Sequence, residues 1–243
     1  MELRRCGGVF LFLIDKQFRF ETIKNGGNTP CHQTINSIFT LCNQNKTMCM
    51  TEKPQIKLSE TVVLIDAAFL NFVITDMKAY FEAHLQRSLQ EIDLSALAIY
   101  LTLDAGIAEG DNDVQFIFVY DKDSDRLVHC QPSDLKEELN GVAFRCPYGE
   151  YSFAGVSSEG MVSREELFMD ILAIISDSAE VKKMIVVSFN EEYGDRVSAA
   201  LDEVKKKEVI QLRMNEPENT LEYKWDMLAF SVMQAMGIRA EEL

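Results

Sequence analysis

The chain has 243 residues, 47% of them hydrophobic, so it can bury a sizeable core without disulfides or a structural metal. Its 24 Lys/Arg and 39 Asp/Glu give a formal charge of −15, unevenly spread: six basic and three acidic residues lie in 1–49, leaving 18 basic and 36 acidic downstream. The surplus of acids beyond residue 49 repels phosphate backbones, which excludes nucleic-acid binding by a broadly basic surface and leaves approach through bound metal ions or a local basic patch.

Residues 1–49 differ in character from the rest. Arg4-Arg5 followed by the apolar run Gly7–Ile14 has the start of a secretory signal, but Asp15-Lys16 ends the run and no small-x-small cleavage site follows. The run is also far short of the roughly 20 residues that span a bilayer. Met50-Thr51-Glu52-Lys53 reads as a natural start. Residues 1–57 are therefore expected to be a disordered extension, or the product of too early a start codon, that adds little to the core. Residues 58–243 are expected to form one cytoplasmic α/β domain without a membrane segment. The cysteines (Cys6, Cys31, Cys42, Cys49, Cys130, Cys146) and His32, His84 and His129 show no zinc-site spacing, and Cys130 and Cys146 are expected to be reduced.

Thr61-Val62-Val63-Leu64-Ile65-Asp66 is a β-branched apolar run ending in an acid, as in a central parallel strand buried on both faces. Phe69, Val73, Met77, Tyr80, Phe81, Leu85 and Leu89 recur at helical spacing and predict a helix to about residue 90. Asp93 is placed to cap a second helix with the stripe Leu94, Leu97 and Leu101, extended to Ile107. Val114–Tyr120, before Asp121, predicts a second strand. Residues 122–160 carry weaker patterns, with a hairpin of Val142–Cys146 and Tyr151–Val156 around Pro147-Tyr148-Gly149. Ser163-Arg164-Glu165-Glu166 is a capping box before Leu167, Ile171, Ile174 and Ile175. A strand at Met184–Val187, a helix at 193–204, a last strand at Val209–Leu212 and a helix at 222–236 complete the pattern. The inner stripe of that last helix is Trp225, Leu228, Ala229, Val232 and Met236, and it ends before Gly237. The alternation predicts a three-layer α/β sandwich with a mainly parallel central sheet.

Ligands of open α/β sheets bind beyond the carboxyl ends of the strands, and here those ends are acidic: Asp66, then Asp121 and Asp123, then Ser188-Phe189-Asn190-Glu191-Glu192. Converging carboxylates would suit Mg²⁺ or Mn²⁺ and a metal-activated water; equally, Asp66 can simply cap the next helix. Val128-His129-Cys130 is not a catalytic pair, because adjacent strand residues point to opposite faces. No glycine-rich phosphate loop follows the first strand. Met227, Met233 and Met236 read as core filler.

The stretch Gly160–Val197, with Arg-Glu-Glu-Leu-Phe-Met-Asp-Ile-Leu and Met-Ile-Val-Val-Ser-Phe-Asn-Glu-Glu-Tyr, resembles the NYN branch of the PIN-like nucleases. That family has a first strand ending in Asp, an Asp inside a later helix, and a strand followed by Ser-Gly-Asp-x-Asp-Phe. Asp66 matches the first Asp, Asp170 the helical one, and Ser188 the Ser. Phe189 stands for the Gly, Asn190 and Glu192 for the two Asp, Tyr193 for the Phe, and Phe69 where an Asn often follows the first Asp. The resemblance implies a PIN/NYN-like fold and a Mg²⁺- or Mn²⁺-dependent ribonuclease with reduced or lost activity. In it Asp66, Asp170 and Glu192 would hold the metal, Asn190 would be a neutral oxygen ligand, and RNA would approach through the metal. The competing class is a non-catalytic acidic module that binds a basic protein partner; a small-molecule enzyme using the same cleft is a third possibility. Oligomeric state is not legible.

Overall fold

The computed structural model describes residues 57–243; the expectations for the preceding segment lie outside the described residues. Seven strands form the main sheet in the order β5-β6-β3-β1-β7-β8-β9. They are β1 (Thr61–Asp66), β3 (Asn112–Tyr120), β5 (Ala143–Cys146), β6 (Gly149–Ser157), β7 (Lys183–Val187), β8 (Glu208–Arg213) and β9 (Lys224–Met227). Every pairing is parallel except the β5–β6 hairpin. A separate two-residue parallel pair joins β2 (Ile92–Asp93) to β4 (Cys130–Gln131).

All six residues of β1 are buried, as a strand covered on both faces requires. Alternate side chains serve two apolar layers. Val63 and Ile65, with Phe116, Phe118, Ile185 and Val187, meet helices α1 (Ala67–Leu85), α2 (Leu94–Asp104) and α5 (Leu228–Ala235). Val62 and Leu64, with Ile117, Val119, Met184 and Val186, meet α3 (Arg164–Asp177) and α4 (Asn190–Asp202). The result is the expected three-layer arrangement. No helix among the described residues is long and apolar enough to cross a membrane.

The predicted caps are in place. Asp93 accepts from the Ser95 amide at 2.9 Å, and Ser163 and Glu166 form the reciprocal capping box of α3. Several predictions need correction. The second helix stops at Asp104, short of Ile107, and the helix expected over 193–204 runs from Asn190 to Asp202. The first helix ends at Leu85, where Gln86 adopts a left-handed conformation; Leu89 reaches the core from the following loop. The proposed helix over 222–236 begins only at Leu228, because Lys224–Met227 pairs with β8 as an edge strand and places Trp225 opposite Gln211. Val209–Leu212 is therefore not the last strand. The weakly patterned stretch between β3 and β5 contains a π-helical turn, Leu135–Leu139, capped by Asp134. That turn packs so closely on β6 that a Cβ on Gly155 would lie 2.9 Å from the Leu135 carbonyl oxygen.

The chain leaves β1 toward β3 by way of α1 and α2, then returns from β6 through α3 to β7, on the other side of β1. Strand order therefore reverses between β1 and β7, which is where a parallel sheet opens a crevice at its carboxyl edge.

Candidate functional site

Asp66 ends β1 at this crevice and is fully buried. One carboxylate oxygen accepts from the Ala68 and Phe69 amides at 2.9 and 3.1 Å, capping α1. The other accepts from the Tyr193 hydroxyl at 2.5 Å and from Arg164 Nε at 3.0 Å. Both oxygens are thus committed.

Arg164 is the hub. It is the first residue of α3, and the capping box holds that helix end against the carboxyl edge of the sheet. Besides Asp66, its guanidinium donates to Asp121 at 2.8 Å and to Glu192 at 2.7 Å. Its side chain is only 14% exposed. Burial pulls against its charge, but the Asp66 and Asp121 carboxylates outweigh that and raise its pKa above the ordinary value. Asp121 is held low: burial would raise it, but hydrogen bonds from Ser124 and Arg164 prevail. Burial, reinforced by the adjacent Asp66 charge, pushes the Tyr193 hydroxyl well above its ordinary pKa, so it stays protonated and donates.

Tyr193 reaches Asp66 because the first turn of α4 is broken there, with φ −143° and ψ 23° at Tyr193 itself. Phe189, just before that turn, lies 5.2 Å from Phe69 and 5.9 Å from Phe72 between ring centroids, and the Arg164 guanidinium sits 5.8 Å from its ring centre.

A second polar network adjoins the crevice. Asn190 accepts from the Ser188 hydroxyl at 3.0 Å and from Gln211 at 3.0 Å; the Gln211 carbonyl accepts from Tyr223 at 2.9 Å. Gln211 is fully buried. Asn190 is therefore engaged within the protein.

Of the residues expected to act together, Asp66 and Glu192 are joined through Arg164, whereas Asp170 is not part of this cluster. Asp170 follows Arg164 by six positions in α3, about 9 Å of helical rise, and feels the charge of Glu166. Burial, then Glu166, raises the Asp170 pKa. Among the described residues no group of three or more His, Cys, Asp or Glu is arranged to hold a metal ion. The carboxylates that do converge are already bonded to a guanidinium, so the side chains as arranged do not fit a resident cation. Cys130 and Cys146 are free, as expected, and burial pushes the Cys130 thiol up to about 12, far from a reactive thiolate.

In the sequence Arg164 stands out only as part of a capping box and Asp121 only as one of the strand-end acids. The available signal was a lone basic residue at the start of a helix that must begin on the acidic edge of the sheet.

Residues 55–243 match the model of a family described as a family of unknown function (DUF6621). No curated protein and no solved structure matches the chain.

Proposed function

Since the chain belongs to a family of unknown function, DUF6621, its role has to be read from the crevice, and we propose that it is a non-catalytic protein-interaction module on a PIN/NYN-like fold. In this reading Arg164 takes the place of the cation that a ribonuclease of that kind would hold. The observation that carries it is the single guanidinium hydrogen-bonded to Asp66, Asp121 and Glu192.

Mg²⁺ and Mn²⁺ need several oxygen ligands at about 2.0–2.2 Å in near-octahedral order. Here each carboxylate already accepts a charge-assisted bond from a group tethered to the fold, and Asp66 has no oxygen left over. An entering cation would have to expel a guanidinium bonded to three carboxylates and packed against Phe189. Asn190 is held by Ser188 and Gln211, and Asp170 is not among the carboxylates bonded to Arg164. Arg164 instead ties α3, β1, the end of β3 and α4 into one rigid edge, a suitable platform for a partner. The strong acidity points to a basic partner.

The alternative, a ribonuclease using Asp66, Asp170, Asn190 and Glu192 with Mg²⁺ or Mn²⁺, predicts metal-dependent cleavage that needs Asp66. On the non-catalytic reading, single-stranded RNA incubated with the full chain and either metal will be cut no faster by wild type than by Asp66→Ala. Metal-dependent cleavage that the substitution abolishes would overturn the non-catalytic reading.

A further inference from the structure

Phe72, in the second turn of α1, is 54% exposed. Its inner face is stacked on Phe189 at an interplanar angle of 25°, and Phe189 is in turn backed by Phe69 and by the Arg164 guanidinium. The pair is therefore fixed from beneath and open outward, at the mouth of the crevice.

Charge decides what fits there. Three carboxylates share the single positive charge of Arg164, and because Asp66 is buried the surplus falls on Asp121 and Glu192, whose side chains are 25% and 49% exposed. Asp76 is exposed one helical turn beyond Phe72 on the same face of α1. The Asn71 side chain donates to the Arg126 carbonyl at 2.8 Å and accepts from the Val128 amide at 2.7 Å, which pins the loop after β3 to α1; its exposed acids Asp123 and Asp125 are offset by exposed Lys122 and Arg126, so the net negative charge here comes from Asp121, Glu192 and Asp76.

The geometry points to this aromatic pair as the docking surface for a cationic protein segment that carries an apolar anchor side chain; the inference rests on the non-catalytic reading above. The anchor stacks on Phe72, whose face also attracts Arg or Lys, while flanking basic side chains meet Asp121, Glu192 and Asp76. A second copy of so acidic a chain, or a phosphate backbone, would meet like charge.

The test uses the full chain and a fluorescein-labelled synthetic peptide of about a dozen residues, with Arg and Lys flanking a central Trp-Leu pair, read by anisotropy. Saturable binding is expected, weakened about ten-fold by Phe72→Ser and about five-fold on raising NaCl from about 50 to about 300 mM. Circular dichroism checks that the variant is folded, and Phe189→Leu, which removes the stacking partner, must weaken binding as well. Absence of saturable binding, unchanged binding by Phe72→Ser, or equal binding of a peptide whose Trp and Leu are replaced by Ser would overturn the inference. So would sedimentation showing that Phe72 drives self-association, or binding seen only after removal of residues 1–49, which would assign the surface to the chain's own basic segment. RNA cleavage by wild type marks failure of the underlying reading, whereas peptide indifference without cleavage rejects this surface alone.

Discussion

Replacing Arg164 with Ala should be among the most damaging single changes near the crevice. The substitution removes three charge-assisted hydrogen bonds and leaves Asp66, fully buried, with only the Tyr193 hydroxyl on the oxygen the guanidinium shared. Breaking a buried ion pair from one side costs about 3–5 kcal/mol. The arms to Asp121 and Glu192 are part-exposed and add little, about 1 kcal/mol or less each, and repulsion among the three acids is relieved by solvent at Glu192. The expected loss is about 3 kcal/mol, which for a domain of this size lowers the melting temperature by about 6–12 °C. Arg164→Lys keeps the charge but cannot offer a planar fork to three partners, so about half the loss should remain. Urea unfolding at pH 7, followed by circular dichroism, measures both. A loss below about 1 kcal/mol for Arg164→Ala would refute the argument that this residue organises the edge.

Three further outcomes are expected. Gln211→Leu should cost about 2–3 kcal/mol in urea unfolding, because it strips partners from the Tyr223 hydroxyl and from Asn190 in a buried network. Gly155→Ala should cost about 1–3 kcal/mol, because the new Cβ would press on the Leu135 carbonyl, which is backbone and cannot swing away; an unchanged melting temperature would contradict the packing of the π-helical turn. The pH response should have two signs. Asp121 is held low in the fold, so its contribution is full above the unfolded carboxylate range and is lost as pH falls through its lowered folded-state value; Asp121→Asn should therefore destabilise at pH 7 and progressively less as pH falls below about 4. Burial raises Asp104 despite the hydrogen bond from Ser231, so its charged form weakens the fold at neutral pH, and Asp104→Asn should stabilise at pH 7 with a benefit that fades as pH falls through the raised folded-state value and is gone below about pH 4.

The parts of this fold that were legible in the sequence are those whose signal is local. The run Thr61–Asp66 could only be a strand buried on both faces, and Ser163 to Glu166 announced its helix by chemistry that lies within four residues. The edge strand at Lys224–Met227 was misread because Trp225, Leu228, Ala229 and Val232 keep a helical spacing, and only the presence of an unpaired β8 edge converts the first part into a strand. Gln86 ends the first helix in a left-handed conformation that no glycine advertised. The site was half visible. Strand-end acids marked the right edge, but the residue that decides their role sits 98, 43 and 28 positions from the three carboxylates it binds. No spacing rule reaches across such separations; the return of the chain from β6 to β7 brings them together.

Whether the Arg164 guanidinium stands in for a cation is read by calorimetric titration with Mn²⁺. Wild type should show no saturable binding at about millimolar metal, whereas Arg164→Ala frees Asp66, Asp121 and Glu192 and should gain a site that a further Asp66→Ala change removes. Saturable binding to wild type that disappears with Asp66→Ala alone would contradict the account and return the crevice to metal-dependent chemistry.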